Sequence, residues 1–145
     1  METAESIGNL LANDLKKLGY KKRKLTWYKN NTETTVVFTI QKSQFSSDTW
    51  YYCFGIGLNA FFSKAISSIS SCDIIYRVDQ RFQGRSLSPK NIIDILVLWE
   101  NKYGIIDSLR VIAIEGKLPP QTTNKAIRFL TSGFYENVYY GKDNT

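Results

Sequence analysis

The chain has 145 residues, 43% hydrophobic and 22% charged, with 19 Lys and Arg against 13 Asp and Glu, a formal net charge of +6. That length suits one domain, residues 1–145, able to bury about 70% of the surface its unfolded form exposes without metal or disulfide staples. The absence of histidine removes the commonest general base and most zinc sites, and no apolar run approaches the roughly 20 residues of a membrane-crossing helix.

Cys53 and Cys72 are too few for a disulfide framework, so a reduced, cytoplasmic setting is expected. The first residues, METAESIGNLLAND, carry neither a basic stretch nor an apolar block, and no secretory signal is expected. The excess of positive charge favours an acidic partner, although it also fits a merely soluble protein.

The first element is expected to be a helix. Ile7, Leu10, Leu11, Leu15 and Leu18 recur at spacings of three and four and form one apolar stripe. Thr3 suits the N-cap, Glu5 the first turn, Lys16 and Lys17 the last, and Gly19 the end. Residues 20–29 then predict a strand with Leu25 and Trp27 on one face, followed by a turn at Asn30 and Asn31 and a returning strand over 35–41. On that strand Val36, Phe38 and Ile40 share one face, and Val37, Thr39 and Gln41 the other.

Residues 42–48 (KSQFSSD) read as a polar loop and residues 49–59 (TWYYCFGIGLN) as a third strand. Gly55 and Gly57 leave a bare strip on one side of it, open to a packed helix or to a ligand. The Ser-rich residues 60–71 fit either a short helix or an irregular crossover. Residues 73–82 (DIIYRVDQRF) predict a fourth strand, ended by the stretch around Gly84.

Ser88 followed by Pro89 marks the start of a helix that runs to about residue 103 and stops at Gly104. A second helix is expected over 105–115 and a third, capped by Thr122 or Thr123, up to Ser132. The tail FYENVYY is apolar enough to dock on the body. Helix, strands and helices in this order predict an α+β fold: an antiparallel sheet of four to five strands with an N-terminal helix and C-terminal helices packed on it.

The first helix ends in LKKLGYKK (residues 15–22), a Leu-Lys-x-x-Gly-aromatic-Lys-Lys segment followed by the aromatic pair Trp27 and Tyr28. The second strand ends in Gln41, Lys42 and Ser43, the third carries YCFGIGLNAF (residues 52–61), and an Arg-containing strand follows over 75–81. This ordered set resembles a bacterial family known as domain of unknown function 4304, most closely up to Phe61. Phe54 departs from the Asn that the family usually has before its strand glycine. The resemblance implies the fold and an intracellular, bacterial setting, but no reaction. Because members of such families can lie beside polymorphic toxins, it also implies an immunity role.

Two functional readings fit these residues. In the first, the protein is a non-catalytic, cytoplasmic binding protein, of the immunity kind, that neutralises a bacterial toxin by direct contact and needs no cofactor or metal. Lys42, Trp50, Tyr52, Arg77 and Arg81, on neighbouring strands, are then the expected contacts with an acidic protein partner. In the second, it is a nucleic-acid-binding domain in which Lys21, Lys22, Arg23 and Lys24 hold phosphates and Trp27 stacks on a base.

A blander account stands beside both. A solvated basic edge discourages strand-to-strand association, and Gln41 with Ser43 fixes the loop that follows. No enzyme is expected. Asp73, Asp79, Asp94, Glu100, Asp107 and Glu115 are scattered singly, Cys72 has no base nearby in sequence, and the GIG of residues 55–57 lies in a strand rather than at a phosphate loop.

Overall fold

The computed structural model describes residues 3–46, 48–82 and 85–132, with the side chains of Arg81, Phe82 and Arg85 outside that description. Among the described residues the elements are, in chain order, α1 (Ala4–Lys17), β1 (Lys21–Arg23), β2 (Thr26–Asn30), β3 (Thr34–Lys42), β4 (Trp50–Leu58), β5 (Ile74–Asp79), β6 (Arg81–Phe82), β7 (Arg85–Ser86), α2 (Pro89–Tyr103), α3 (Ile106–Ile114), β8 (Gln121–Thr122) and α4 (Asn124–Thr131). Six strands form one antiparallel sheet in the order β1-β2-β3-β4-β5-β8, and β6 pairs with β7 as a separate ribbon. The fold is α+β, with the N-terminal helix and the later helices on the sheet.

α1 begins where Thr3 accepts a hydrogen bond from the Ser6 N–H and Ser6 accepts one from the Thr3 N–H, a reciprocal cap that satisfies two backbone donors. It ends at Gly19, whose φ of 96° is open to glycine at little cost. Its buried face, Ile7, Leu11 and Leu15, meets the inner face of the sheet. There Val36, Phe38 and Ile40 of β3 lie opposite Ile56, Phe54 and Tyr52 of β4. α2, started by Ser88 and Pro89 as expected, adds Ile92, Leu96 and Trp99, and α3 and α4 add Leu109 and Phe129. Each such fully buried side chain contributes about 1.5–3 kcal/mol. The one indole N–H that α2 buries, at Trp99, donates to the Gly55 carbonyl at 3.2 Å.

The other sheet face is half covered. Residues 59–73 cross over it through two 3₁₀ turns, Asn59–Phe61 and Ile69–Ser71. Ile66, Ile69 and Cys72 pack there on Val37, with Tyr28 and Ile75 at the margin. This corrects the open strip expected at Gly55 and Gly57. A Cβ at position 55 would sit 2.6 Å from Ile69 Cδ1, and one at position 57 would sit 2.5 Å from Ile66 Cδ1. The glycines admit the chain's own crossover. Its start and middle are pinned by amides: Asn30 donates to the Ile66 carbonyl (2.9 Å) and to Thr35 Oγ1, Thr35 donates to Asn59 Oδ1, and Asn59 donates to the Asn31 carbonyl.

Three strand boundaries also differ from the sequence reading. Residues 20–29 are a hairpin and not one strand: Arg23 pairs with Thr26 across a two-residue loop, with Lys24 at φ 57°. Residues 73–82 break at Gln80, whose Oε1 accepts the Trp50 N–H at 2.8 Å, and the remainder turns into the ribbon. β8 pairs with β5 and brings the sheet to six strands; a two-residue strand carries no period for a sequence reading to register. Gln83, Gly84 and the apolar tail after Gly133 lie outside the described residues. No described helix is long and apolar enough to cross a membrane.

Candidate interaction surface

Strand register sets the uncovered half of the outer face. One row reads Arg23, Thr26, Thr39, Cys53, Arg77 across five strands, and the next reads Gln41, Tyr51, Asp79 across three. At about 4.8 Å per strand the first row places its two arginines about 19 Å apart. Arg77 is exposed, and its guanidinium lies 4.6 Å from the centre of the Tyr51 ring. Such a pair presents a flat apolar plane and a charge together. Thr26 and Thr39 share a hydrogen bond of 3.0 Å, and the Cys53 thiol donates to Gln41 Oε1 at 3.3 Å.

The same end of the sheet carries two further features. The β3–β4 loop holds Phe45 with 95% of its surface exposed. Ser43 Oγ accepts the Phe45 N–H at 3.1 Å and so fixes the loop's first turn. Round the corner, toward α1, lies an open groove of about 570 Å³ lined by Glu5, Asn9, Lys22, Lys24, Leu25, Thr26, Thr39, Ile40 and Lys42. Lys42 forms an ion pair with Glu5 there, and the ammonium holds the Glu5 carboxyl below its ordinary range.

The shifted titratable groups elsewhere are structural. Burial raises the Tyr20 phenol, which donates to Glu100 at 2.9 Å, while Lys29 takes the other Glu100 oxygen at 2.8 Å. Burial also raises Asp73, against hydrogen bonds from the Leu58 N–H and the Thr123 hydroxyl that favour its charged form. Thr123 in turn caps α4 by accepting the Ala126 N–H. Burial pushes the Cys53 thiol up to about 11, with Arg77 pulling in the opposite direction. The Cys72 thiol is raised further, by burial first and then by Asp73. Both thiols are therefore protonated near neutral pH and are poor nucleophiles.

The family model of a domain of unknown function (DUF4304) matches residues 11–117 of the chain, well over half of it and far beyond Phe61. The chain belongs to this family. No curated protein and no solved structure matches it. Within the family match, the LKKLGYKK segment is the end of α1 and the entry to β1, and the Gln41-Lys42-Ser43 segment is the end of β3.

The structure divides the expected contact residues between the two sheet faces. Trp50 and Tyr52 are corrected: they are 3% and 1% exposed, and the Trp50 indole donates to the Tyr52 hydroxyl inside the core. Trp27 is likewise corrected, because it is 1% exposed on the inner face, with Lys22 above its ring at 5.5 Å. Lys42 and Arg77 are both exposed but point to opposite faces. Arg81 begins β6, and its side chain is outside the description. Lys21, Lys22, Arg23 and Lys24 are all exposed on the edge hairpin. Sequence reasoning missed Tyr51 and Phe45. The signal for Phe45 was available: one aromatic residue stands alone in a polar loop.

Proposed function

We propose that this protein is a non-catalytic binding protein that captures an acidic protein partner at the loop end of its sheet, and that it acts in the cytoplasm as an immunity protein against a toxin. The Arg77–Tyr51 pair, with the guanidinium 4.6 Å from the ring centre on the uncovered half of the sheet face, carries the reading. Aromatic and Arg side chains are the commonest anchors of protein interfaces. The exposed Phe45 of the β3–β4 loop, at the same end of the sheet, supplies an apolar element that solvent alone does not favour. The excess of basic residues supports fast capture of an acidic surface.

The test is co-expression with the product of the neighbouring reading frame, followed by affinity measurement on the purified pair. Protection from toxicity and a stable complex are expected. Tyr51→Ala, Arg77→Ala and Phe45→Ala should each weaken the complex by about 2 kcal/mol, roughly thirtyfold, without loss of folded protein. Equal toxicity with and without the protein, or no association of the pure pair, would end this reading.

Exposure of Lys21, Lys22, Arg23 and Lys24 along one edge favours nucleic acid as a second reading. The burial of Trp27 removes the base-stacking partner that this reading relied on. Binding of single-stranded DNA or RNA that falls steeply with salt would support it, and no binding at low salt would dispose of it.

A further inference from the structure

In the corner groove a carboxylate is already paired with one of the lysines. Lys22, Lys24 and Lys42 line it with Glu5, three positive groups against one negative. The Lys42 and Glu5 side chains are 55% and 56% exposed, a setting in which water and salt screen an ion pair and leave it readily exchangeable. Lys24 takes the first central position of a two-residue hairpin loop, with φ 57°, where glycine is favoured. A lysine there carries the modest cost of the left-handed region. The groove is large enough for several side chains of an extended segment, and Leu25 and Ile40 give it apolar wall. Its described lining contains neither an Arg fork nor a glycine-rich backbone nest, the usual phosphate binders.

We propose that this corner groove binds the carboxylate side chains of an extended acidic segment of a protein partner, and that Glu5 is an internal ligand which the segment displaces. The inference rests on the reading of an acidic protein partner but assigns it a second foothold, apart from Tyr51 and Arg77.

The experiment titrates the full chain with capped hexaglutamate at low ionic strength, followed by amide chemical shifts and calorimetry, with inorganic phosphate as the comparison. Shifts are expected at Lys22, Lys24 and Lys42. Glu5→Ala should tighten binding about three- to fivefold by removing the competitor, while Lys42→Ala should weaken it by a similar factor. Lys24→Gly suits the positive φ of the turn and removes the side chain with its ammonium, so it should weaken binding without destabilising the fold. Lys21→Ala, on the opposite face of β1, should leave affinity unchanged. Equal affinity in wild type, Lys24→Gly and Lys42→Ala would overturn the proposal, as would phosphate binding as tightly as the peptide. If Tyr51→Ala abolished partner capture while both groove variants retained it fully, the groove assignment would fall and the outer-face reading would stand. Groove-dependent binding of hexaglutamate without capture of the neighbouring gene product would support the groove and count against the immunity role.

Discussion

Replacing Gly55 by Ala tests whether the crossover truly seals the strip beneath it. The new Cβ would lie 2.6 Å from Ile69 Cδ1, 2.7 Å from Cys72 Sγ and 3.0 Å from Cys72 Cβ. Comfortable carbon contacts lie at about 3.5–4.0 Å. The crossover cannot simply lift, because the Asp73 N–H donates to the Ile56 carbonyl of β4 and the Asn30 amide of β2 donates to the Ile66 carbonyl, both at 2.9 Å. Overpacking of this kind costs about 1–3 kcal/mol. Alanine recovers about 0.5–1 kcal/mol over glycine in a strand. The net loss is then about 1–2 kcal/mol, and Tm should fall by about 3–8 °C for a chain of this size. Gly57→Ala should be milder, since its closest contact at 2.5 Å is the free end of Ile66 and the next atoms are at 3.3 and 3.5 Å. Urea unfolding and thermal circular dichroism measure both, and adding Cys72→Ala to Gly55→Ala should restore part of the loss. A Gly55→Ala protein as stable as wild type, or a larger loss at Gly57, would refute the packed-strip account.

Two more outcomes concern titration. Cys53 and Cys72 are buried with raised thiol pKa values, so native protein should react with a maleimide far more slowly than protein unfolded in urea; rapid native labelling of Cys53 would contradict its burial. Burial raises Asp73 in the folded state, so the stability it contributes is present below the ordinary Asp range and is lost as pH rises through the raised value. The advantage of wild type over Asp73→Asn in urea should therefore shrink as pH rises above the ordinary Asp range, and a gap that widens with pH would reverse that sign.

Helix ends were legible in the sequence because their signals are local: Thr3, Ser88 and Thr123 all cap, and Gly19 and Gly104 both stop a helix. Strand alternation also placed Val36, Phe38 and Ile40 together, as found. It did not reveal which side of β4 is inside. Trp50 and Tyr52 alternate with Tyr51 and Cys53, both sets are apolar, and only the tertiary cover decides. The β1–β2 turn was hidden because KRKLT contains no Gly, Asn, Asp or Pro; a lysine in the left-handed region fills that role. The corner groove depended on that turn, so Lys22 and Lys24 could not be joined to Lys42 beforehand. The Lys42–Glu5 pair likewise joins two elements distant in sequence.

The Asn30–Thr35–Asn59 clamp has a geometric outcome for any docking body. By anchoring the crossover over only half of the outer face, it builds a ledge beside Tyr51 and Arg77. For the partner proposed above, the covered half over Val37, Gly55 and Gly57 would be closed, and the row from Arg23 to Arg77 would be the face left to it. A bulkier crossover would then narrow the berth of that proposed partner while Tyr51 and Arg77 stayed in place.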